Sequence, residues 1–153
     1  MKRSKSSISD GLLLAGAAIS LGLASPGNAE AQTGCSNSTL KGNYIYAQDG
    51  YKTGATANER QPFAQAGRET FDGEGNMSGV YSGNLNGTIV SVGEYTGTYT
   101  VNPDCSGLVT FTDKLNQTFN YDIYVADGGD EFAFVQTDEN SITAAYERRR
   151  VSK

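Results

Sequence analysis

The sequence predicts an all-β domain: a closed antiparallel barrel of eight up-and-down strands, with a two-sheet sandwich as the alternative. Three observations carry this reading. From Thr39 to Arg149 short stretches alternate apolar and polar residues with the period of two that a strand requires. Turn-forming clusters such as Asp72-Gly73-Glu74-Gly75 and Asp127-Gly128-Gly129-Asp130 separate them. No segment beyond the N-terminus offers a convincing amphipathic helix. Closure into a ring removes exposed strand edges. A ring of eight strands is just wide enough to be filled by side chains or to hold one small ligand.

The chain begins with a basic start, Met1-Lys2-Arg3-Ser4-Lys5. An apolar run from Gly11 to Ala24 follows, then Pro26-Gly27 and the small-residue site Ala29-Glu30-Ala31. The run is too short to span a bilayer comfortably, and the three parts together read as a secretory signal peptide over 1–31. Cleavage after Ala31, or after Ala29, leaves a single domain, 32–153. Export then places the chain in the periplasm or outside the cell.

The first strand is expected over Leu40–Ala47, with Leu40, Tyr44 and Tyr46 on one face. Gln48–Gln61 is polar and glycine-containing and reads as a long loop, a candidate lid. Phe63–Phe71 forms the second strand, with Phe63, Gln65, Glu69 and Phe71 sharing a face. Asn76–Ser82 is the third. The fourth, Thr88–Val101, aligns Gly93 and Gly97 with Tyr95 and Tyr99; glycines inside so long a strand point to the bends a barrel needs. Asn102-Pro103-Asp104 turns the chain into the fifth, Gly107–Thr112. The sixth, Thr118–Ala126, sets Phe119, Tyr121, Ile123 and Val125 on one side. The seventh, Glu131–Thr137, carries Phe132, Phe134 and Gln136 together. The eighth, Ser141–Arg149, has Ile142, Ala144 and Tyr146 in register.

Removing residues 1–31 leaves nine bases (12 less three) against fifteen acids (17 less two). A surface of net charge about −6 repels nucleic acid and anionic membrane. Arg148-Arg149-Arg150 is the one basic cluster and reads as a solvated tail. Cys35 and Cys105 are the only cysteines, and in an oxidising compartment they are expected to form a disulfide. Acylation of Cys35 is the alternative, but Gln32-Thr33-Gly34 lacks the apolar residue of a lipobox.

The chain has no histidine, which excludes His-based triads and most zinc sites. No metal or cofactor is expected. The Asp72–Asn76 segment faintly resembles a calcium loop, yet lacks its terminal bidentate glutamate, and a hairpin turn explains the same residues. Carboxylates, tyrosines and arginines remain. Glu69 is the candidate catalytic group: on an inward, apolar face its pKa would rise and poise it for acid–base work. A solvent-facing Glu69, or one paired with an arginine such as Arg148, is the alternative. Tyr44, Phe63, Tyr95, Tyr99, Tyr121, Phe134 and Tyr146, with Gln136 as a polar handle, are the candidate lining of a ligand pocket.

Three stretches carry a resemblance. They are Cys35-Ser36-x-x-Thr39-Leu40-x-Gly42-x-Tyr44; Phe71-Asp72-Gly73-x-Gly75-x-x-x-Gly79; and Gly97-Thr98-Tyr99-x-Val101-Asn102-x-Asp104-Cys105-Ser106-Gly107. Across nearly the whole mature chain these resemble a group of small exported bacterial β-barrel proteins, similar in architecture to the allene oxide cyclase and lipocalin barrels. The chain has no Trp, so the lipocalin Gly-x-Trp is absent and Gly42-x-Tyr44 stands in a comparable place. The shared motifs are turn and disulfide motifs, so the resemblance implies a fold and carries no catalytic residue across.

The expected function is therefore an exported, non-catalytic barrel binding a small apolar or aromatic molecule. A structural or interaction protein of the envelope ranks second. A cyclase or isomerase acting on a hydrophobic substrate without a metal ranks third, with Glu69 as base and a tyrosine as acid.

Overall fold

The computed structural model describes residues 34–54 and 59–150, with the side chains at 90–92 outside that description. The expected signal segment, 1–31, lies outside the described residues. Eight strands run in chain order: β1 Lys41–Thr53, β2 Arg60–Asp72, β3 Asn76–Leu85, β4 Thr88–Val101, β5 Ser106–Asp113, β6 Thr118–Val125, β7 Glu131–Gln136 and β8 Ser141–Arg149. Each pairs antiparallel with its neighbours, and β8 returns to β1, with Tyr46 opposite Glu147 and Gly50 opposite Thr143. The sheet is a closed ring with no free edge, which decides between the two predicted architectures in favour of the barrel.

Alternation sets the inside. Tyr44 and Tyr46 from β1, Glu69 and Phe71 from β2, Tyr95 and Tyr99 from β4, and Phe111, Tyr121, Ile123, Phe132 and Phe134 from β5 to β7 are all buried within the ring. Glycines make room for the larger rings. A Cβ on Gly79 would stand 2.4 Å from Cζ of Tyr95, and one on Gly67 would stand 2.8 Å from Cε1 of Tyr46. The inward glycines are thus seats for tyrosine rings from neighbouring strands.

Two expectations are corrected. The segment Gln48–Gln61 is mostly strand, not a lid: β1 continues to Thr53 and pairs with β2 down to Thr53 opposite Arg60. Residues 55–58, between them, lie outside the description. The strand is illegible locally because its inward residues, Gln48, Gly50 and Lys52, are not apolar. Gly50 is required by packing, since a Cβ there would meet the carbonyl oxygen of Ile142 at 2.1 Å. In β8 the inward positions are Thr143, Ala145 and Glu147, so Ile142 and Tyr146 face out, Tyr146 at 64% exposure. Tyr146 is therefore not a pocket residue. It lies outside, in register with Ala133, which is itself opposite Tyr124.

One end of the ring is sealed. A short 3-10 turn, Asn37–Thr39, precedes β1, and Asn37 Oδ1 accepts from the Val101 N–H at 2.8 Å. A Cys35–Cys105 disulfide ties this segment to the β4–β5 turn, with Cα atoms 5.0 Å apart. At the β2–β3 turn, Gly73 has φ +84° and Asp72 Oδ1 accepts from the backbone N–H of Glu74, Gly75 and Asn76 at 2.7 to 3.0 Å. The hydrogen bond from the Asn76 side chain, with these backbone bonds, holds the exposed Asp72 carboxyl down at about 2. Its oxygens serve the hairpin. Among the described residues no helix is long and apolar enough to cross a membrane.

Candidate functional site

The interior has three levels. At the sealed end Tyr44, Phe71, Tyr99 and Phe132 pack edge to face, with Phe71 5.2 Å from Tyr44 and 5.0 Å from Tyr99. Their polar atoms are satisfied by protein. Tyr44 Oη donates to Gly129 O at 2.6 Å and accepts from Arg149 Nη2 at 2.9 Å. Tyr99 Oη donates to Leu40 O at 2.8 Å and accepts from the Gly73 N–H at 2.9 Å. Arg149, predicted as part of a solvated tail, is a fastener that also donates to Thr39 O and Gly129 O. Tyr44 and Tyr99 were expected in a ligand lining. The structure places them in a packed plug.

In the middle level Glu69 and Glu147 face each other. Glu69 is buried on the inward face it shares with Phe63, Gln65 and Phe71, and Tyr95 Oη donates to its Oε1. It does not pair with Arg148, which is exposed and salt-bridged to Glu131. Burial pushes the Glu69 carboxyl up to about 7, with hydrogen bonds from Tyr95 and Glu147 acting against the rise. Burial raises Glu147 well above the carboxylate range, and the charge of Glu69 raises it further. Two adjacent carboxyls removed from water cannot both ionise cheaply, so the pair retains a shared proton. Glu147 is 2% exposed and its Oε1 has no hydrogen-bond partner. Beside the pair is a cavity of about 20 Å³, lined also by Tyr46, Gln48, Tyr121 and Phe134. That is room for about one water molecule.

Sequence reading missed Glu147 because the alternation of β8 runs against the usual sense. Its larger apolar residues, Ile142 and Tyr146, are outside, and its inward face is small or polar. Only the pairing of Tyr46 with Glu147 across the closing seam reveals its direction.

The third level is the open end, a mouth of about 310 Å³. Phe63, Phe111, Phe119, Leu115 and Tyr121 supply its apolar wall, and Lys52, Gln65, Asp113 and Gln136 its polar groups. Lys52 Nζ lies 5.4 Å from the ring centre of Phe63 and 5.5 Å from that of Phe119. It donates to Ser141 Oγ at 2.5 Å and, at 3.5 Å, to Gln136 Oε1. Burial lowers the pKa of this ammonium, and the charge of Asp138 opposes the shift. Gln136 is fixed in turn by donating to Asp138 Oδ2 at 2.8 Å.

Of the predicted lining, the structure brings Phe63, Tyr121 and Gln136 to the mouth. It sets Tyr95 and Phe134 in the middle level, Tyr44 and Tyr99 in the plug, and Tyr146 outside. Lys52, Phe111 and Phe119 are lining groups that local reading did not single out. Phe119 had the right parity; depth along the axis was the missing coordinate. Among the described residues no cluster of three or more histidine, cysteine or acidic side chains could hold a metal. No family model matches the chain, and neither a curated protein nor a solved structure matches it.

Proposed function

We propose that this chain is an exported, non-catalytic barrel whose open end binds one small apolar or aromatic molecule. The mouth carries the reading: about 310 Å³ of space walled by Phe63, Phe111, Phe119 and Leu115, with a few convergent polar groups. That is the lower range of ordinary ligand sites and their usual composition. The disulfide supports export, because such bonds persist in oxidising compartments. Native mass spectrometry of protein taken from its own host is the test. A copurifying small molecule, displaced by an apolar dye, is expected. Protein that carries nothing and takes up no dye refutes the reading.

One observation favours a second reading, a cyclase or isomerase. Glu69 combines burial, a pKa raised to about 7 and a tyrosine hydroxyl on its oxygen, which are the makings of an acid–base pair. The space beside it admits a water and no organic substrate, so binding at the mouth is the reading we prefer. Exchange of an acidic C–H of a bound ligand with deuterated solvent, lost in Glu69→Gln, is the result that reverses this preference.

A further inference from the structure

We infer that the mouth selects organic anions, namely small monocarboxylates with an aromatic or short acyl body, whose carboxylate pairs with Lys52. This rests on the reading of the open end as a ligand mouth and adds the charge of the ligand to it.

Lys52 is the one cation among the residues lining the mouth. It is half-buried between two phenylalanine rings, and its recorded acceptors, Ser141 Oγ and Gln136 Oε1, are both neutral. Among the described residues no carboxylate reaches ion-pair distance of its Nζ. A charge drawn partly out of water is normally paired at contact distance; the charge of Asp138 acts on this one without such a contact.

The nearby acids are committed elsewhere. Asp138 accepts from Gln136 and from the backbone and side chain of Asn120. Asp113 accepts from Tyr81 Oη at 3.2 Å and from the N–H groups of Leu115 and Gln117 at 2.8 and 3.0 Å. Each already holds three hydrogen bonds, and neither stands at ion-pair distance from Lys52 Nζ. Burial lowers the pKa of Lys52 even though the charge of Asp138, which acts on it without a contact, opposes the shift. Tyr81 and Tyr121, which also face the mouth, bring hydroxyls and no positive charge. Below lies the buried Glu69–Glu147 pair, which offers an anionic head no cation, so the head stays at Lys52 and the apolar body turns toward Phe111 and Phe119. A carboxylate at Lys52 would gain a charge-assisted bond in a partly dry site.

The test is calorimetric titration of the full chain with 2-naphthoate and with the neutral 2-naphthalenemethanol, which share a body and differ at the head group. The naphthoate is expected to bind about tenfold or more tightly than the alcohol. Lys52→Met removes that preference, Lys52→Arg retains it, and Tyr146→Ala, on the outer face, retains it as well. Equal affinity for the two compounds, or a preference that survives in Lys52→Met, overturns the anion proposal while leaving the mouth a ligand site. Failure of both compounds to bind overturns the mouth reading and the proposal together.

Discussion

The two ends of the barrel are built from the same strands and do opposite things. At the sealed end the rings of Tyr44, Phe71, Tyr99 and Phe132 touch one another, and each hydroxyl there bonds to backbone or to Arg149. At the open end Phe63, Phe119 and Lys52 border a cavity, and among the described residues the ammonium makes no contact ion pair. Packing that saturates every atom stabilises but leaves nothing for a ligand to satisfy. Open space and a charge without a contact partner contribute less to folding and leave binding free energy available. On the proposed function, stability belongs to one end and ligand binding to the other, with the Glu69–Glu147 pair between them.

The largest test of that division is a pair of truncations. Phe71→Ala, in the plug, is expected to lose about 3–5 kcal/mol of stability in urea denaturation, because it opens a cavity among close-packed rings. Phe119→Ala, at the mouth, is expected to lose only about 1–2 kcal/mol, since its ring is already partly in solvent. Equal losses at the two sites would erase the distinction.

The disulfide comes next. It closes a separation of 70 residues and belongs wholly to the sealed end. Replacing both cysteines with serine is expected to lose about 4 kcal/mol on the loop-entropy model. Ligand affinity at the mouth should not change. A loss of affinity with the fold intact would show that the two ends are coupled.

The carboxyl pair gives a pH signature. Glu69 titrates at about 7 in the folded chain against an ordinary 4.5. Between those values the folded chain holds a proton that the unfolded chain has released. The contribution is therefore fully present below about pH 4.5 and is lost as pH rises through about 7. The contribution belongs to the Glu69–Glu147 pair as a unit, because the two carboxyls titrate together. Glu147, also raised by burial and by the charge of Glu69, contributes in the same sense. Denaturation between pH 5 and 8 should show falling stability, and Glu69→Gln should flatten the slope; a level profile in the parent chain contradicts the buried pair.

The smallest effect is expected outside. Tyr146→Ala, at an outward position of β8, should change stability by no more than about 0.5 kcal/mol. A larger loss in the same denaturation assay would mean that the outer face bears structure that the ring does not reveal.

Where alternation was clean, inside and outside could be read residue by residue. Phe119, Tyr121, Ile123 and Val125 on β6, and Phe132, Phe134 and Gln136 on β7, all lie on the face their parity assigned. Glu69 could be placed with Phe71 in the same way, and the Asp72-Gly73 turn and the two cysteines were legible as local chemistry. Reading failed where the inward face is polar. Gln48 and Lys52 hid the far half of β1, and Thr143 and Glu147 reversed the apparent sense of β8. A hydrophobic pattern reports burial only when the buried residues are hydrophobic.

The sequence by itself determined the strands with apolar inner faces, their turns, the disulfide partners and the aromatic character of the interior. These are local properties, set by a side-chain period of two and by turn stereochemistry. Only the tertiary structure decided which end is sealed, that Glu69 meets Glu147, and that Lys52 stands at the mouth without a contact ion pair. Those facts depend on the register between strands and on the seam that joins β8 to β1. A seam between strands a hundred residues apart is set by closure of the ring, and no local stretch of the chain encodes it.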